Sequence, residues 1–415
     1  MTTKVLLTLG RLPKGLEVAR ALRQAGADVI VADPFANHLS RPARAVSKSY
    51  RTPAPADDPD SYLDALAKIA ARERVDLVAP VSEEVLHASR LAARDDAPPF
   101  FGAPFDQLAR LHHKLRFVEA TQNARLNAPK THPAHTPEAA ALASRSDYVL
   151  KPALGCSGAG VSLRRKADPL TDADREQGNL VQRRVHGAEI SSLSVARDGR
   201  TLGTVIYRGL IFAGTVACCF ERVDDANAAE AWIEDFIAAE NYTGFIGFDF
   251  VVDQDGDVWP IECNPRLTSG VHFMNHDDLA AGILDPDFAG PIRKKPQLTF
   301  QEGHTSLLMA YADLFRGRFS DFASKLRAMT RAQDVLFEAH DPLPFLLMTP
   351  MSWEILKRVA FKGESFGQAS THDIEWNDPF PDFPSNSERP FPAAAPMAPN
   401  AALATKDVRD AAHGP

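Results

Sequence analysis

Short apolar runs alternate with segments of helical spacing over the first hundred residues. The runs Lys4 to Leu9, Asp28 to Ala32 and VDLVAPV (75–81) have the length of strands and are bounded by Gly, Pro or polar residues. Between them, apolar residues recur every three or four positions in segments 16–23 and 62–74, as in helices that pack one face on a core. Strands that alternate with helices predict an α/β domain with a parallel sheet.

A different pattern occupies residues 244–275. Two runs of apolar, β-branched and aromatic residues, FIGFDFVV and VWPIE, flank Asp255-Gly256, a dipeptide favoured in two-residue hairpin turns because both positions tolerate positive φ. If these two residues form the turn, counting outward in antiparallel register puts Asp249 directly opposite Glu262. The sequence therefore predicts a hairpin with two carboxylates on one face.

The same face carries further polar groups. Asn264 lies two residues beyond Glu262 and points the same way. Asp249, Glu262 and Asn264 offer hard oxygen ligands suited to Mg²⁺, or Mn²⁺, shared with phosphate oxygens. Arg266, two residues further, is predicted as the catalytic residue that stabilises negative charge on a transferred phosphoryl group and a tetrahedral intermediate. The alternative is a solvated hairpin face with charges placed by chance.

Residues 148–161 combine a strand with a glycine-rich loop. The strand YVLKP carries a lysine near its end, and the sequence ALGCSGAGV follows. Glycines let backbone N–H groups wrap phosphate oxygens, and the lysine supplies positive charge. The segment is not a Walker A loop, because the G-K-[S/T] ending is absent. A flexible glycine-rich hairpin is the alternative to a phosphate-binding loop formed by Lys151, Gly155, Ser157, Gly158 and Gly160.

Composition narrows the class of protein. A chain of 415 residues, 45% hydrophobic and 24% charged, is ordinary for a globular protein of two or three domains. The net charge of −8 gives no overall reason to expect a nucleic-acid partner. No segment reaches transmembrane length, and the N-terminus lacks a signal-peptide layout, so we expect a cytoplasmic protein with no membrane partner. The four cysteines lack metal-ligand spacing, and we expect them to be reduced and buried.

The run WPIECNPR, preceded by GFDFVVD, closely resembles the metal-binding end of ATP-grasp enzymes. The similarity is greatest to the branch that includes carbamoyl-phosphate synthetase and related carboxylate-amine ligases. The Lys-Pro followed by a Gly-Ser-Gly loop also resembles the mobile phosphate loop of this family. The resemblance covers roughly residues 1 to 285. It implies an α/β (α+β) architecture, in which a Rossmann-like N-terminal domain precedes a two-lobed ATP-grasp fold.

The resemblance also implies nucleotide contacts. Lys114 stands at the start of the matching helix, where a lysine of the family reaches the phosphates. Main-chain groups of the hinge, here Gln182, Arg183 and Val185, would bind the adenine edge, and Glu189 would bind the ribose hydroxyls. Many relatives have an acidic residue just after the glutamine, whereas this chain has two arginines there. Recognition of adenine by main-chain groups does not depend on this difference. A contact between adenine and the side chain at this position is not implied for this chain.

Three residues are candidates for substrate contacts. In the family the N-terminal domain helps to wall the substrate site, so Glu83 is a candidate, although an acidic residue at a helix start is favourable whatever the function. Ser269 and His272 follow Arg266 and would line the acceptor site, or they form only a polar loop that closes the strand. The neighbouring pair His112 and His113 has no metal partner at recognisable spacing and is assigned as structural or solvent-facing.

We therefore predict four ranges: a Rossmann-like domain at 1–110, an ATP-grasp domain at 111–290, a mostly helical C-terminal extension at 291–375, and a disordered Pro- and Ala-rich tail at 376–415. The predicted function is that of an ATP-dependent ligase, which activates a small-molecule carboxylate as an acylphosphate and couples it to an amine or similar nucleophile. ADP and phosphate are released. Assembly as a homodimer stays open.

Two alternative functions remain. Asp33 stands at the end of the second strand, where an acidic residue binds ribose in dinucleotide-binding folds, so the chain would then be a NAD-dependent oxidoreductase. The glycines of the first turn do not spell G-x-G-x-x-G, however, and this alternative leaves the acidic hairpin without a role. The second alternative is a nucleotide-binding protein that has lost catalysis, although the metal ligands and Arg266 are all present.

Overall fold

The computed structural model of the protein describes residues 2–155, 158 and 160–376. Of the predicted site residues, Ser157 lies outside these ranges, as does the predicted tail beyond Trp376. The described residues belong to one compact unit, Met1–Asn377. The four predicted domain ranges stay a prediction.

The N-terminal sheet has four parallel strands in the order β3-β2-β1-β4. The strands are β1 (Lys4–Leu7), β2 (Asp28–Asp33), β3 (Val46–Arg51) and β4 (Leu77–Ala79), and the helices are α1 (Pro13–Gln24), α2 (Pro59–Glu73) and α3 (Val85–Ala88), followed by the 3₁₀ helix Ser89–Ala93. Leu7 packs with Leu16 of α1, whereas Leu6 packs with Leu66 of α2 on the opposite face. Helices therefore cover both faces, which is why the central strands are continuously apolar. The predicted α/β arrangement is confirmed.

A second, antiparallel sheet has the order β5-β8-β6-β7. Its strands are β5 (Thr131–Pro133), β6 (Tyr148–Pro152), β7 (Ser162–Arg164) and β8 (Asn179–Arg183), and the helices of this part are α4 (Phe105–His112), α5 (Lys114–Asn123) and α6 (Pro137–Arg145). His113 separates α4 from α5 because its backbone is extended, and its ring accepts a hydrogen bond from the Arg116 N–H. This break starts a new helix at Lys114.

The largest sheet has seven strands in the order β13-β12-β9-β10-β11-β14-β15, and all its neighbouring pairs are antiparallel except the last. The strands are β9 (Ala188–Arg197), β10 (Arg200–Ala213), β11 (Val216–Arg222), β12 (Gly244–Val252), β13 (Val258–Asn264), β14 (Thr299–Gln301) and β15 (Gln333–Asp334). Helix α7 (Asn227–Glu240) packs against β12, and the 3₁₀ helix Ser269–Phe273 and α8 (His276–Leu284) follow β13.

The C-terminal region is mostly helical, with α9 (Gly303–Phe315), α10 (Phe319–Met329), α11 (Leu343–Leu346), α12 (Met348–Met351), α13 (Trp353–Lys362) and α14 (Phe366–Thr371). Met309 of α9 and Phe366 of α14 pack on the buried side chains of β10 and β11. The short strands β14 and β15 also add this region to the edge of the large sheet. A strand of two or three residues carries no periodic pattern, so residue spacing does not predict β14 or β15. Among the described residues, no helix has both the length and the apolar character needed to cross a membrane.

Candidate active site

The hairpin of β12 and β13 puts Asp249 directly opposite Glu262, as predicted. The flanking residues Phe248 and Phe250 pack against Trp232 of α7, with ring centroids 5.3 and 5.2 Å apart. Because successive side chains of a strand point to opposite faces, this packing turns Asp249 away from α7. The aromatic core behind the hairpin therefore fixes which face carries the carboxylates.

The predicted two-residue turn is wrong. The strands end at Val252 and resume at Val258, so residues 253–257 form the loop. The Asp253 carboxylate accepts hydrogen bonds from the Asp255 and Asp257 N–H groups, which stabilises this wider loop. The pairing shifts by one residue between Asp249 and Phe250, at a β-bulge, and the shift restores the predicted pairing of the carboxylates.

Asp249 is held from two sides. Its Oδ1 accepts a 2.6 Å hydrogen bond from the Ser191 hydroxyl on β9, and its Oδ2 accepts one of 3.0 Å from the Asn264 amide. Burial, together with the negative charge of Glu262, raises the pKa of Asp249 to about 6. These contacts orient Asp249 and confirm that Asn264 shares its face.

Glu262 faces two lysines. Burial alone would raise the pKa of its carboxyl group, but the positive charges of Lys114 and Lys151 outweigh this effect and lower it. Lys114 Nζ lies 3.1 Å from Glu262 Oε1 and donates a 2.7 Å hydrogen bond to the Gly155 carbonyl. Lys151 Nζ donates to the carbonyl of Ile261 and to Gln182 Oε1, both at 2.8 Å. Burial lowers the pKa of Lys151 to about 8. The predicted lysines and carboxylates thus converge.

The described part of the glycine loop adjoins these lysines. Gly155, Gly158 and Gly160 have φ values of +105°, +68° and +72°, in the left-handed region that favours glycine. A Cβ atom on Gly158 would also lie 2.9 Å from the Thr215 side chain, in the turn between β10 and β11. The loop therefore requires glycine at this close approach. Ser157 is outside the described residues.

The predicted hinge residues differ in their surroundings. Gln182 is buried, and besides accepting from Lys151 it donates to the Thr131 hydroxyl. The Arg183 guanidinium stacks over the Trp259 ring, 4.8 Å from its centroid. Val185 is half-buried, and Glu189 is exposed and pairs with Val251 in the sheet. Gln182 contacts Lys151 directly, and the roles of all four residues in nucleotide binding stay predictions.

Arg266 connects the hairpin with the N-terminal domain. Its Nε donates a 2.6 Å hydrogen bond to Glu83 Oε1, and its NH2 group donates one of 2.9 Å to Asn264 Oδ1. Burial would raise the pKa of Glu83, but Arg266, His112 and Lys14 outweigh this and lower it. The structure thus brings Glu83 and Arg266 to the side of the acidic pair.

His272 and Ser269 lie in the 3₁₀ helix after β13. His272 is buried, its Nδ1 lies 2.9 Å from Glu17 Oε2 on α1, and its ring stacks on Phe220. Ser269 is half-buried at the start of this helix. The His272 imidazole thus contacts Glu17 at the junction with α1. The assignment of His272 and Ser269 to the acceptor site stays a prediction.

Sequence reasoning missed three residues near the site. Ser191 binds Asp249, and Lys14 Nζ donates a 2.8 Å hydrogen bond to the Leu267 carbonyl beside Arg266. His112 is buried, which lowers its pKa, and it interacts electrostatically with Glu83, Lys114, Glu262 and Arg266. His112 therefore does not face solvent, whereas its assignment as structural stays a prediction. Ser191 alone had a signal, because it faces Asp249 once β9 is paired with β12.

Asp33 has a structural partner. Its carboxylate accepts hydrogen bonds from the Gly10, Arg11 and Phe35 N–H groups and forms a buried ion pair with the Arg11 guanidinium at 2.9 Å. These donors satisfy both carboxylate oxygens. They therefore explain why an aspartate lies at this position, and no ribose ligand is needed to explain it.

Residues 111–270 match the family model of the ATP-grasp domain. This part of the chain is an ATP-grasp domain. The match contains the two lysines, the glycine loop, the hinge, the acidic hairpin and Arg266. The predicted family and fold class are thereby confirmed. Among the described residues no group of three or more His, Cys, Asp or Glu side chains is arranged to hold a metal ion, and the ATP-grasp hairpin offers two carboxylates and an amide instead.

Solved structures share the fold over most of the chain, whereas no curated protein sequence matches it. The L-amino acid ligase of Bacillus licheniformis is 18% identical, with 71% of this chain and 78% of that chain covered and a TM-score of 0.56. The biotin carboxylase domain of Hydrogenobacter thermophilus 2-oxoglutarate carboxylase, in complex with MgADP, ADP and bicarbonate, is 17% identical, with 68% and 69% covered and a TM-score of 0.54. N5-carboxyaminoimidazole synthetase of Staphylococcus aureus, complexed with ADP, is 14% identical, with 77% and 86% covered and a TM-score of 0.56.

Proposed function

We propose that the protein is an ATP-dependent ligase that activates a carboxylate as an acylphosphate and couples it to an amine or similar nucleophile. The observation that carries the proposal is the convergence of Asp249 and Glu262 with Lys114 and Lys151 at one face of the ATP-grasp sheet. Two ligases of this fold, the L-amino acid ligase and N5-carboxyaminoimidazole synthetase, are among its structural relatives, which supports the proposal.

The residues present fit a divalent cation. Asp249 and Glu262 face each other in a buried strand pair, where the charge of Glu262 helps to raise the pKa of Asp249. A cation between them would offset this repulsion. Carboxylate and amide oxygens, here from Asp249, Glu262 and Asn264, are the ligands that Mg²⁺ prefers, usually together with phosphate oxygens. When bound, Mg²⁺ would neutralise charge on the β- and γ-phosphates of ATP.

The chain's own residues supply the remaining functions. Lys114 and Lys151 provide the positive charges that orient the γ-phosphoryl group, and the left-handed glycines let backbone N–H groups approach its oxygens. Arg266 is oriented by Glu83, so that its guanidinium is fixed before charge develops on the transferred phosphoryl group. Preorganisation of this kind lowers the barrier because no side chain has to be reoriented during the reaction.

The proposed chemistry has two steps. A carboxylate oxygen of the substrate attacks the γ-phosphorus, the bond from that phosphorus to the bridging oxygen breaks, and ADP leaves. The amine then attacks the carbonyl carbon of the acylphosphate, the bond from that carbon to the phosphate oxygen breaks, and phosphate leaves while the nitrogen loses a proton. The proposed products are an amide-type compound, ADP and phosphate.

Two observations weigh against the alternatives. A NAD-dependent oxidoreductase would need Asp33 for the ribose, but Arg11 and three backbone N–H groups occupy this carboxylate. A protein that had lost catalysis would not need Asp249, Glu262, Asn264 and Arg266 in one connected network. We therefore favour the ligase.

A screen of paired substrates tests the proposal. ADP release is measured with Mg-ATP and a matrix of carboxylates and amines, since dependence on one particular pair identifies both substrates. We expect ADP release that requires Mg²⁺ and both members of a pair, and that Glu262→Gln abolishes. Equal ADP release with and without the carboxylate would contradict acylphosphate formation.

A further inference from the structure

A cavity of about 60 Å³ lies where the N-terminal sheet, the turn between β10 and β11, and the C-terminal helices meet. Its walls are mostly apolar. They are formed by Leu12, Leu39, Val216, Met348, Ile355 and Phe366, among others. A water molecule requires roughly 10–15 Å³ of such space, so the cavity has room for about four to six non-hydrogen atoms. It is large enough for a small aliphatic group.

Two charged side chains reach this cavity, and one of them is already neutralised. The Arg11 guanidinium pairs with Asp33 at 2.9 Å and with Asp373 at 2.7 Å, and Arg11 and Asp33 are almost fully buried. Two carboxylates therefore surround one guanidinium. Glu302 adds a third carboxylate to the cavity wall, so negative charge exceeds positive charge among these four groups.

Glu302 has few groups that stabilise its charge. Its Oε2 accepts a long hydrogen bond, 3.3 Å, from the Thr305 hydroxyl. Burial, with a smaller contribution from the charge of Asp334, raises the pKa of Glu302 to about 7, although the Thr305 hydrogen bond and the charge of Lys14 act in the opposite direction. A carboxylate in an apolar wall costs free energy unless a cation meets it. A ligand with a positive charge would supply that cation.

The cavity is linked to the ATP-grasp site through α1. Pro13 lines the cavity, and the next residue, Lys14, donates its hydrogen bond to the Leu267 carbonyl. Leu267 follows Arg266, and Lys14 acts electrostatically on both Glu83 and Glu302. Pro13 and Lys14 thus join the cavity wall to the residue that follows Arg266.

We propose that this cavity binds the aliphatic ammonium group of a substrate, with the alkyl part among the apolar side chains and the cation at Glu302. That the bound ammonium compound is a substrate rests on the proposed ligase function. The inference narrows the substrate class of that ligase to small ammonium compounds. Two sources have this chemistry. One is the amine nucleophile, and the other is an amino acid that serves as the carboxylate substrate and whose carboxylate extends out of the cavity.

Calorimetric titration of the full chain at pH 8 tests the site without ATP. The probes are isobutylamine, which is cationic at this pH, and isobutanol, a neutral molecule with the same number of non-hydrogen atoms. We expect the amine to bind at least about tenfold more tightly, because the alcohol leaves the Glu302 carboxylate without a cation. Equal affinities of the wild-type protein for amine and alcohol would overturn the proposal.

Three variants locate the binding. Glu302→Gln removes the charge with little change of shape and should abolish the preference for the amine. Glu354→Gln, whose side chain is 53% exposed on α13, should retain that preference. Val216→Phe adds bulk at the rim of the cavity and should weaken binding of both probes, which gives a second test if Glu302→Gln does not fold. Unchanged binding in a folded Glu302→Gln or Val216→Phe protein would also overturn the proposal.

Activity distinguishes the two sources of the ammonium group. ADP release that needs isobutylamine together with a separate carboxylate identifies the amine as the source, whereas release with L-valine in place of the separate carboxylate identifies an amino acid. Ammonium binding at Glu302 without ATP use under any of these conditions would contradict the proposed ligase and support the cavity. Pair-dependent ATP use without discrimination between amine and alcohol would contradict the cavity and support the ligase.

Discussion

Arg266 and Glu83 form a 2.6 Å ion pair between the end of β13 and the N-terminal domain. The exposed fractions of their side chains are 16% and 3%, so solvent screens this pair only weakly. The same guanidinium donates to Asn264, which in turn donates to Asp249. The contacts from Glu83 to Arg266, Asn264 and Asp249 therefore tie the predicted phosphoryl-transfer residues to a carboxylate that follows β4 of the N-terminal sheet.

Arg266→Lys tests the catalytic assignment. Lysine keeps the positive charge but lacks the planar fork that contacts Glu83 and Asn264 together. We expect almost normal binding of Mg-ATP and a loss of kcat of about 10²–10³-fold, the range for removing one preorganised donor to a transition state. Melting temperature, ATP affinity and product formation are measured on one preparation. Lowered stability with normal turnover per folded molecule would instead assign Arg266 a structural role.

Glu262→Gln tests the metal site. The amide keeps the shape but removes a negative charge that Mg²⁺ requires, so ADP release should fall by roughly three orders of magnitude. Folding should be retained, because the substitution also removes the repulsion between Glu262 and Asp249. Glu221→Gln is the matched control, since Glu221 on β11 pairs with Arg208 on β10, and two strands separate β11 from β12. Full Mg-dependent ATP use by a folded Glu262→Gln protein would refute the assignment.

Nucleotide choice is tested by thermal stabilisation. A ligand that binds only the native state stabilises it by about 2.7 kcal/mol at a hundredfold excess over Kd. We expect Mg-ATP to raise the melting temperature and NAD or NADP to leave it unchanged, because Asp33 is occupied by Arg11. A clear shift with NAD and none with Mg-ATP would favour the oxidoreductase.

The Arg11 network predicts how the C-terminal region is anchored. Asp373, just after α14, pairs with Arg11 in the connection between β1 and α1. Arg11→Met leaves Asp33 and Asp373 buried without their cation and should cost about 3–5 kcal/mol of the free energy of unfolding. Asp373→Asn leaves Arg11 with Asp33 and should cost about 1–3 kcal/mol.

Urea unfolding measures both costs. Lys357→Met is the control, because Lys357 pairs with Glu354 on the surface of α13 and surface pairs contribute about 0–1 kcal/mol. If Arg11→Met were no more destabilising than Lys357→Met, the network would not anchor the C-terminal region.

The acidic hairpin indicates how far sequence reasoning reached. Counting outward from Asp255-Gly256 in antiparallel register paired Asp249 with Glu262, and the structure has the same pair. The turn was wrong because the Asp253 carboxylate, and not the Asp-Gly dipeptide, organises the loop. The bulge cancelled this error, and nothing in a local pattern predicted the bulge.

Contacts between distant segments were harder to predict. Lys14 on α1 reaches Leu267 just after β13, and His112 on α4 interacts with Glu83 just before α3. Neither contact has a signature in residue spacing, because each depends on how two complete elements meet. The resemblance to ATP-grasp enzymes placed Lys114 correctly at a helix start, which periodicity alone would have treated as a surface position.

The cluster around Glu17 predicts acid sensitivity. Glu17 on α1 lies 2.9 Å from His272 and 2.6 Å from His276, and it also pairs with Lys295. Burial would raise the pKa of Glu17, but these three partners outweigh it and bring the pKa well below 4.5. Burial also lowers the pKa of His272 below 6.5, and although Glu17 opposes this effect the net direction is downward.

Both shifts act in the same direction. Below the pH of about 6.5 at which a free histidine titrates, the unfolded chain takes up a proton that buried His272 resists, and below about 4.5 the same holds for Glu17. The unfolded state then binds more protons than the native state. The contribution of this pair to the free energy of unfolding should therefore decrease as the pH falls from 8 towards 3, first through His272 and then through Glu17.

Glu17→Gln separates the two contributions. At pH 8 the variant leaves Lys295 without its carboxylate and should lose about 3–5 kcal/mol of the free energy of unfolding. Below pH 4.5 the wild-type protein progressively loses the same carboxylate contribution, so the difference between the two proteins should narrow. Urea unfolding from pH 8 to pH 3 measures this, with Glu138→Gln on the exposed first turn of α6 as the control. A difference that stays constant down to pH 3 would show that the Glu17 charge does not stabilise the junction between α1 and α8.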